Sequence, residues 1–332
     1  MNIDSLTLNN PLSKNNLSSK KDRKSKHSLT TPSFSFSNSG EKEFANKQRE
    51  HYYLKKENKK LLKVYGSSIY KYSLDLDSLS AAPDPVKNHK IEKKYRTKLV
   101  DWLFEVFNVM NCQESTIYLT IHLLDYFMFK YSKKPLTNED LHLIGVSCLF
   151  IASKYEDTIP IFMNDLKVKI CHNRFSDKSL KEFERLIMDT VDFGVHLTSS
   201  ADFIRTFFYE FKTSNKSIIT SEDNSTIFSE IEIFSIYISK VILHSDEFSC
   251  YRNSIKAISC IVIGFEIVRT NRNFSNKLEE ILKSWILSLI ENSNFNPSDI
   301  NLLYNKLAEY YSSFHTITSI NHNLQKFTIL PY

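Results

Sequence analysis

Glycine is scarce in this chain: five in 332, where soluble proteins average roughly 7%. No two of Gly40, Gly66, Gly145, Gly194 and Gly264 stand close enough to form G-x-G-x-x-G, G-x-x-x-x-G-K-[ST] or G-x-S-x-G. Phosphate-cradling loops and nucleophile elbows need such spacings, because only glycine turns that sharply and lets backbone approach a ligand closely. Those enzyme classes are disfavoured. Proline is scarce as well, at eight residues, so the punctuation that an all-β chain needs every ~8–12 residues is missing.

The five cysteines include no C-x-x-C pair and their number is odd. Buried reduced thiols are expected rather than disulfides. His172 follows Cys171, but no second ligand pair lies at finger-like spacing and no H-E-x-x-H occurs, so neither a metal nor any other cofactor is expected. The most apolar run, Leu141 to Ser153, is short of the ~20 residues a membrane-spanning helix needs. The opening MNIDSLTLNN lacks a basic region followed by an apolar stretch, so no secretory signal is expected. The expectation is a soluble protein of the nucleus and cytoplasm with no membrane partner. A net charge of +5 is too weak a bias to predict direct nucleic-acid binding.

What remains is 42% apolar residues in helical rhythm, and an all-α fold follows. Residues 1–58 are rich in Ser, Asn and Lys and read as a disordered tail, because they cannot bury enough surface to offset the entropy of ordering. Within it Lys20, Lys21, Arg23, Lys24 and Lys26 form either a nuclear-import signal or a solvated charge run, and Thr31-Pro32 would suit a proline-directed kinase. Residues 59–84 hold an amphipathic helix, with Leu61, Leu62, Tyr65, Ile69, Tyr72 and Leu76 near helical spacing, and then a linker at Ala82-Pro83-Asp84-Pro85.

Two series of five helices are expected beyond it, over 85–197 and 198–315, with 316–332 as a tail. In the first, Leu99, Trp102, Leu103, Val106 and Met110 make one stripe and Ile117, Ile121, Leu124 and Met128 another. Thr137 and Asp140 have capping-box spacing before a hub helix that is apolar or small on nearly every side from Leu141 to Ala152. In the second, a Phe203, Phe207, Phe211 stripe precedes three further apolar stretches, and a last helix is capped by Asn296 with Pro297 at its first position. Val146–Ala152 is similar to Ile258–Gly264 at an offset of 112 residues. Either the five-helix unit is duplicated or two unrelated buried helices converge on one composition.

Four segments between residues 95 and 187 carry a resemblance to the cyclin family, most closely to its mitotic A/B type. Tyr95-Arg96-Thr97-Lys98-Leu99-Val100-Asp101-Trp102-Leu103-Phe104-Glu105-Val106 resembles the M-R-x-x-L-V-D-W-L-x-E-V opening of the cyclin box. Leu124-Asp125-Tyr126-Phe127 resembles I-D-R-F, Ala152-Ser153-Lys154-Tyr155-Glu156-Asp157 resembles A-S-K-[FY]-E-E, and Phe183-Glu184-Arg185-Leu186-Ile187 resembles M-E-x-x-[IV]. Upstream, Tyr65 to Tyr72 is similar to the helix that precedes the box. The resemblance implies two tandem five-helix boxes. Its functional implication is an activating, non-catalytic subunit of a cyclin-dependent serine/threonine kinase in cell-cycle control.

By the same resemblance Lys154, Tyr155, Glu156 and Glu184, with Ile69 and Tyr72 upstream, contact the kinase. Locally, Lys154 also suits a helix C-terminus because a cation complements the macrodipole there. Glu184 borders an apolar stripe where a lone carboxylate would be costly. Arg96 and Asp125 are expected as a structural ion pair, not as acid and base. Trp102 would by composition be core; by resemblance it floors a groove docking R-x-L-type peptides, with Tyr95, Leu99 and Leu141 as walls, His142 beside them and Glu105 attracting the peptide's cation. Tyr95, Lys98 and His142 stand where the family usually has Met, an aliphatic residue and Gln, and the cation at Lys98 should weaken docking of basic motifs. Lys56-Glu57-Asn58 matches a K-E-N degradation signal, implying ubiquitin-ligase machinery as a further partner. The competing reading is a cyclin-box transcription-associated factor or scaffold that binds nucleic acid or peptides without activating a kinase.

Overall fold

A computed structural model of the chain describes residues 65–66, 68–77, 80–216, 222–272, 275–292, 296–328 and 330. Residues 65–73 belong to one unit and those from Leu74 onward to another. The basic cluster, Thr31-Pro32, Leu61, Leu62 and the Lys56-Glu57-Asn58 motif lie outside the described residues.

Among the described residues the architecture is helical throughout, with a single isolated bridge between Lys90 and Thr137. The first bundle contains α1 (Lys93–Val109), α2 (Glu114–Lys130), α3 (Asp140–Glu156), a short α4 (Met163–Asp165, continued by a π-helical turn Leu166–Ile170) and α5 (Asp177–Thr190). The second contains α6 (Ser200–Ser214), α7 (Glu222–Val241), α8 (Asn253–Asn271), α9 (Asn276–Asn292) and α10 (Pro297–Phe314). The starts of these helices follow from local chemistry. Ser199 and Asp202 form a full capping box on α6, and the Asn296 side chain accepts from the Ser298 amide with Pro297 in the first turn of α10. At α3 only half of the box forms. The Asp140 carboxylate accepts from the Thr137 amide at 2.8 Å and hydroxyl at 2.9 Å, while the hydroxyl caps no amide.

Each bundle is organised around its third helix. α3 is buried from Ile144 to Ser153, and α8 from Asn253 to Glu266. At the 112-residue offset, Gly145 meets Ala257, Ser147 meets Ser259, Cys148 meets Cys260 and Ala152 meets Gly264. Small residues thus sit two turns apart on both hubs, where a neighbouring helix comes close. A Cβ on Gly145 would lie 2.9 Å from the Leu99 side chain of α1, and one on Gly264 would lie 2.6 Å from Ser235 Oγ and 3.0 Å from the Ile231 carbonyl of α7. Two helical bundles with the same hub design are a tandem repeat. The scarce glycines serve close helix packing at these two positions, not ligand loops.

The bundles meet through buried polar groups. Arg96 on α1 and Asp125 on α2 form a bidentate pair at 2.8 and 2.7 Å, with 1% and 5% of their surface exposed. Burial alone would lower the Arg96 pKa, but the Asp125 charge and hydrogen bonds raise it instead. Its remaining nitrogen donates to the Leu243 and His244 carbonyls at 3.0 and 3.1 Å, beyond the end of α7. The pair therefore fixes more than how α1 and α2 meet: it also clamps the second bundle to the first. At the start of α8, Asp77 accepts from the Asn253 amide at 2.9 Å and from the Ser254 hydroxyl, capping that helix from far upstream.

Residues 316–332, expected as a tail, fold back in part. Ile320 and Leu324 are buried in the same core as α1, and a short α11 (Asn323–Phe327) follows a left-handed His322. Asp101 on α1 holds it there, accepting from the Asn321 amide at 2.8 Å and the Asn323 amide at 2.9 Å. Burial pushes the Asp101 carboxyl up, but His244, 3.7 Å away, and the two amides outweigh that and hold it below its ordinary value.

Candidate functional site

Two surfaces of the first bundle gather the residues singled out above. One lies where α3 ends beside α5. Apolar packing of Leu180 and Ile187 seats α5 on the bundle and brings Glu184 to the Lys154 ammonium, with which it forms an ion pair. The same ammonium sits 4.1 Å above the Phe150 ring, a favourable placement of a cation over an aromatic face. The carboxylate that sequence reasoning left needing a partner thus has one within the bundle. Tyr155 is half exposed, and Glu156 is half-buried in the last turn.

Beyond them Ile159 and Phe162 stand 78% and 62% exposed, which sequence reasoning missed. Its signal was the apolar Ile159-Pro160-Ile161-Phe162 run directly after the acidic helix end. Exposed apolar side chains grouped beside charged ones mark protein-binding surface more often than isolated ones do. Ser153 Oγ accepts from the Ile161 amide at 2.8 Å, which fixes how the chain leaves α3. Ile69 and Tyr72 are each about half exposed on their helical segment, which belongs to a different unit from α3 and α5.

The second surface is a groove between α1, the start of α3 and the end of α4. Tyr95, Leu99, Trp102, Leu141 and His142 line it, as expected, and Lys98, Asn138, Ile170 and His172 join them. Glu105 is not among the lining side chains; it faces Asn323 of α11, whose side-chain nitrogen is 3.4 Å away. Trp102 is half-buried and meets His142 edge-on, with ring centres 5.0 Å apart. His142 in turn abuts Phe175 at 5.2 Å and accepts from Arg174 Nη1 at 3.4 Å. Burial lowers the His142 pKa, and the neighbouring charges of Arg174 and His172 lower it further. His172 and Asn173 both have positive φ, 48° and 59°, so the π-helical turn ends in a sharp reversal that places His172 and Arg174 here.

Among the described residues no cluster of three His, Cys, Asp or Glu side chains is arranged to hold a metal, and no helix is long and apolar enough to cross a membrane.

The family described as "Cyclin, N-terminal domain" matches residues 68–196, the stretch that holds the first bundle. The chain is 32% identical to the G2/mitotic-specific cyclin-B of Hydra viridissima across 149 residues, 45% of this chain and 37% of that protein. It is 29% identical to cyclin-B2-1 of rice, Oryza sativa subsp. japonica, across 145 residues, 43% of this chain and 34% of the rice protein. The matched stretch thus spans little more than a third of either relative. Among solved structures, a viral cyclin from herpesvirus saimiri superimposes with a TM-score of 0.50 at 18% identity, covering 73% of this chain and 97% of the viral one. That alignment is too extensive to stop at the first bundle and supports the tandem fold.

Proposed function

We propose that this protein is a non-catalytic activating subunit of a cyclin-dependent serine/threonine kinase acting in mitotic cell division. The observation that carries the reading is the Lys154 and Glu184 pair at the end of α3, flanked by exposed Tyr155, Ile159 and Phe162 in the stretch that the cyclin N-terminal family matches. A kinase of this class works only when its αC glutamate pairs with its β3 lysine and its activation loop is correctly placed. A stiff helical platform that binds that arrangement in preference to others shifts the kinase population toward it. Lasting partnerships of this sort bury more than about 2,000 Å². Lys154, Tyr155, Glu156 and Glu184 would form one part of that interface, and Ile69 and Tyr72 another.

The groove around Trp102 would add substrate docking, and the Lys56-Glu57-Asn58 motif would time destruction through a ubiquitin ligase. The basic cluster between Lys20 and Lys26 would direct the protein into the nucleus from the cytoplasm. The test is to capture the chain from extract of dividing cells, identify the kinase by mass spectrometry, and measure phosphorylation of a short generic substrate with and without the chain. Co-purification with at least tenfold activation is expected. A folded chain that leaves every cyclin-dependent kinase unbound and no more active overturns the proposal.

A further inference from the structure

We infer that the groove floored by Trp102 selects peptide segments whose apolar anchor is flanked by carboxylates, not by arginine or lysine. The inference rests on reading the groove as a docking surface and goes on to name its occupant. The floor and walls are apolar or aromatic, and Leu99 and Leu141 are almost fully buried there, so a leucine-type side chain has somewhere to go. Lys98 lines the groove as a fixed cation, and a second one, Arg174, lies against the lining His142.

Neither of these cations is neutralised from within. Among the described residues no carboxylate lies within ion-pair distance of Lys98, His172 or Arg174; the ammonium of Lys98 has only the Tyr95 ring, 5.7 Å to its centre. No carboxylate lines the groove itself. Glu92 pairs with Lys94 at 2.6 Å, Asp140 accepts from Thr137, Glu105 is turned to Asn323, and Glu139 is exposed outside the lining. A peptide arginine entering the groove would therefore meet like charge and find no carboxylate among the lining side chains, whereas Asp or Glu side chains would meet two cations without a carboxylate partner. Mismatched charge is an effective means of excluding a wrong partner, and matched charge speeds encounter with the right one.

The experiment uses the full chain and two fluorescent peptides with the same pair of leucines, one flanked by Asp and Glu and its twin by Arg at the same positions. Fluorescence anisotropy should show the acidic peptide binding about tenfold tighter, the sum of two exposed pairs. The difference should shrink as salt is raised. Lys98 and Arg174 are both exposed, so the Lys98→Glu/Arg174→Glu variant should fold normally and reverse the preference, while Trp102→Ala weakens the acidic peptide. The proposal is overturned if the Arg twin binds as tightly or more tightly, if charge reversal leaves the preference unaltered, or if neither peptide binds the native chain better than it binds the Trp102→Ala variant. Activation of a kinase on a short substrate lacking a docking segment reads the proposed function alone, so the two can fail separately.

Discussion

Lys154 and Glu184 neutralise each other across the gap between α3 and α5, and the Lys154 ammonium also lies 4.1 Å over the Phe150 ring. Two side chains read as kinase contacts are thus already ordered before any partner arrives. Association then loses less side-chain entropy than it would with two free, rotamer-rich chains.

A charge swap exploits this relationship. Lys154→Glu with Glu184→Lys keeps an ion pair but inverts what a partner meets. Exposed pairs contribute at most about 1 kcal/mol to stability, so the melting temperature should change little while kinase activation is lost. Thermal melts beside a kinase assay check it; retained activation in a folded variant removes both residues from the interface.

Arg96 is a stability prediction. Arg96→Met leaves Asp125 buried without its cation and two carbonyls without a donor, and removing one partner of such a pair costs about 3–5 kcal/mol. The double variant Arg96→Met/Asp125→Leu should recover much of this in urea unfolding, since no lone charge is left behind. If the single variant loses less than about 1 kcal/mol, the pair is not the clamp described.

Asp101 couples pH to the C-terminal segment. Its carboxyl is held below the ordinary aspartate value near pH 4, so its contribution is fully present above that pH and is lost as pH falls through its lower folded value. Asp101→Ala should remove the hydrogen bonds to Asn321 and Asn323 and cost about 1 kcal/mol, as lost caps do. Hydrogen exchange at neutral pH should speed up first around Ile320 to Phe327. Unchanged protection there would show that apolar burial alone holds α11.

The two hub glycines should respond unequally to alanine. At Gly264 the new Cβ would meet the Ile231 carbonyl, which cannot move aside, and overpacking of this kind costs about 1–3 kcal/mol. At Gly145 it meets only the Leu99 side-chain end, and the gain in helix propensity of about 1 kcal/mol offsets part of the strain. Urea unfolding of both variants should rank Gly264→Ala as the more damaging.

Sequence alone carried the helices because they depend on local pattern: the α10 cap and the hub composition are written in short-range spacing. The Arg96 and Asp125 pair, 29 residues apart, came from the resemblance and from the cost of burying a lone charge. What was not legible depends on which segments meet after folding. Nothing near Asp101 says that its amide partners come from Asn321 and Asn323, and nothing near Arg96 points to the carbonyls of Leu243 and His244. The turn that brings His172 and Arg174 to the groove relies on left-handed His172 and Asn173; these residue types adopt that conformation more readily than most, but nothing in the local pattern says that two in succession do so here. Glu105, placed in the groove by motif alone, shows the same limit: its helix position was right, but α11 supplies the neighbour it faces.

Asp77 caps amides that lie 176 and 177 positions further along the chain. At ordinary translation rates of about 5–20 residues per second, roughly 9–35 seconds separate emergence of the carboxylate from emergence of its partners. During synthesis the Asp77 carboxylate must therefore wait without these amide partners until the start of α8 has left the ribosome.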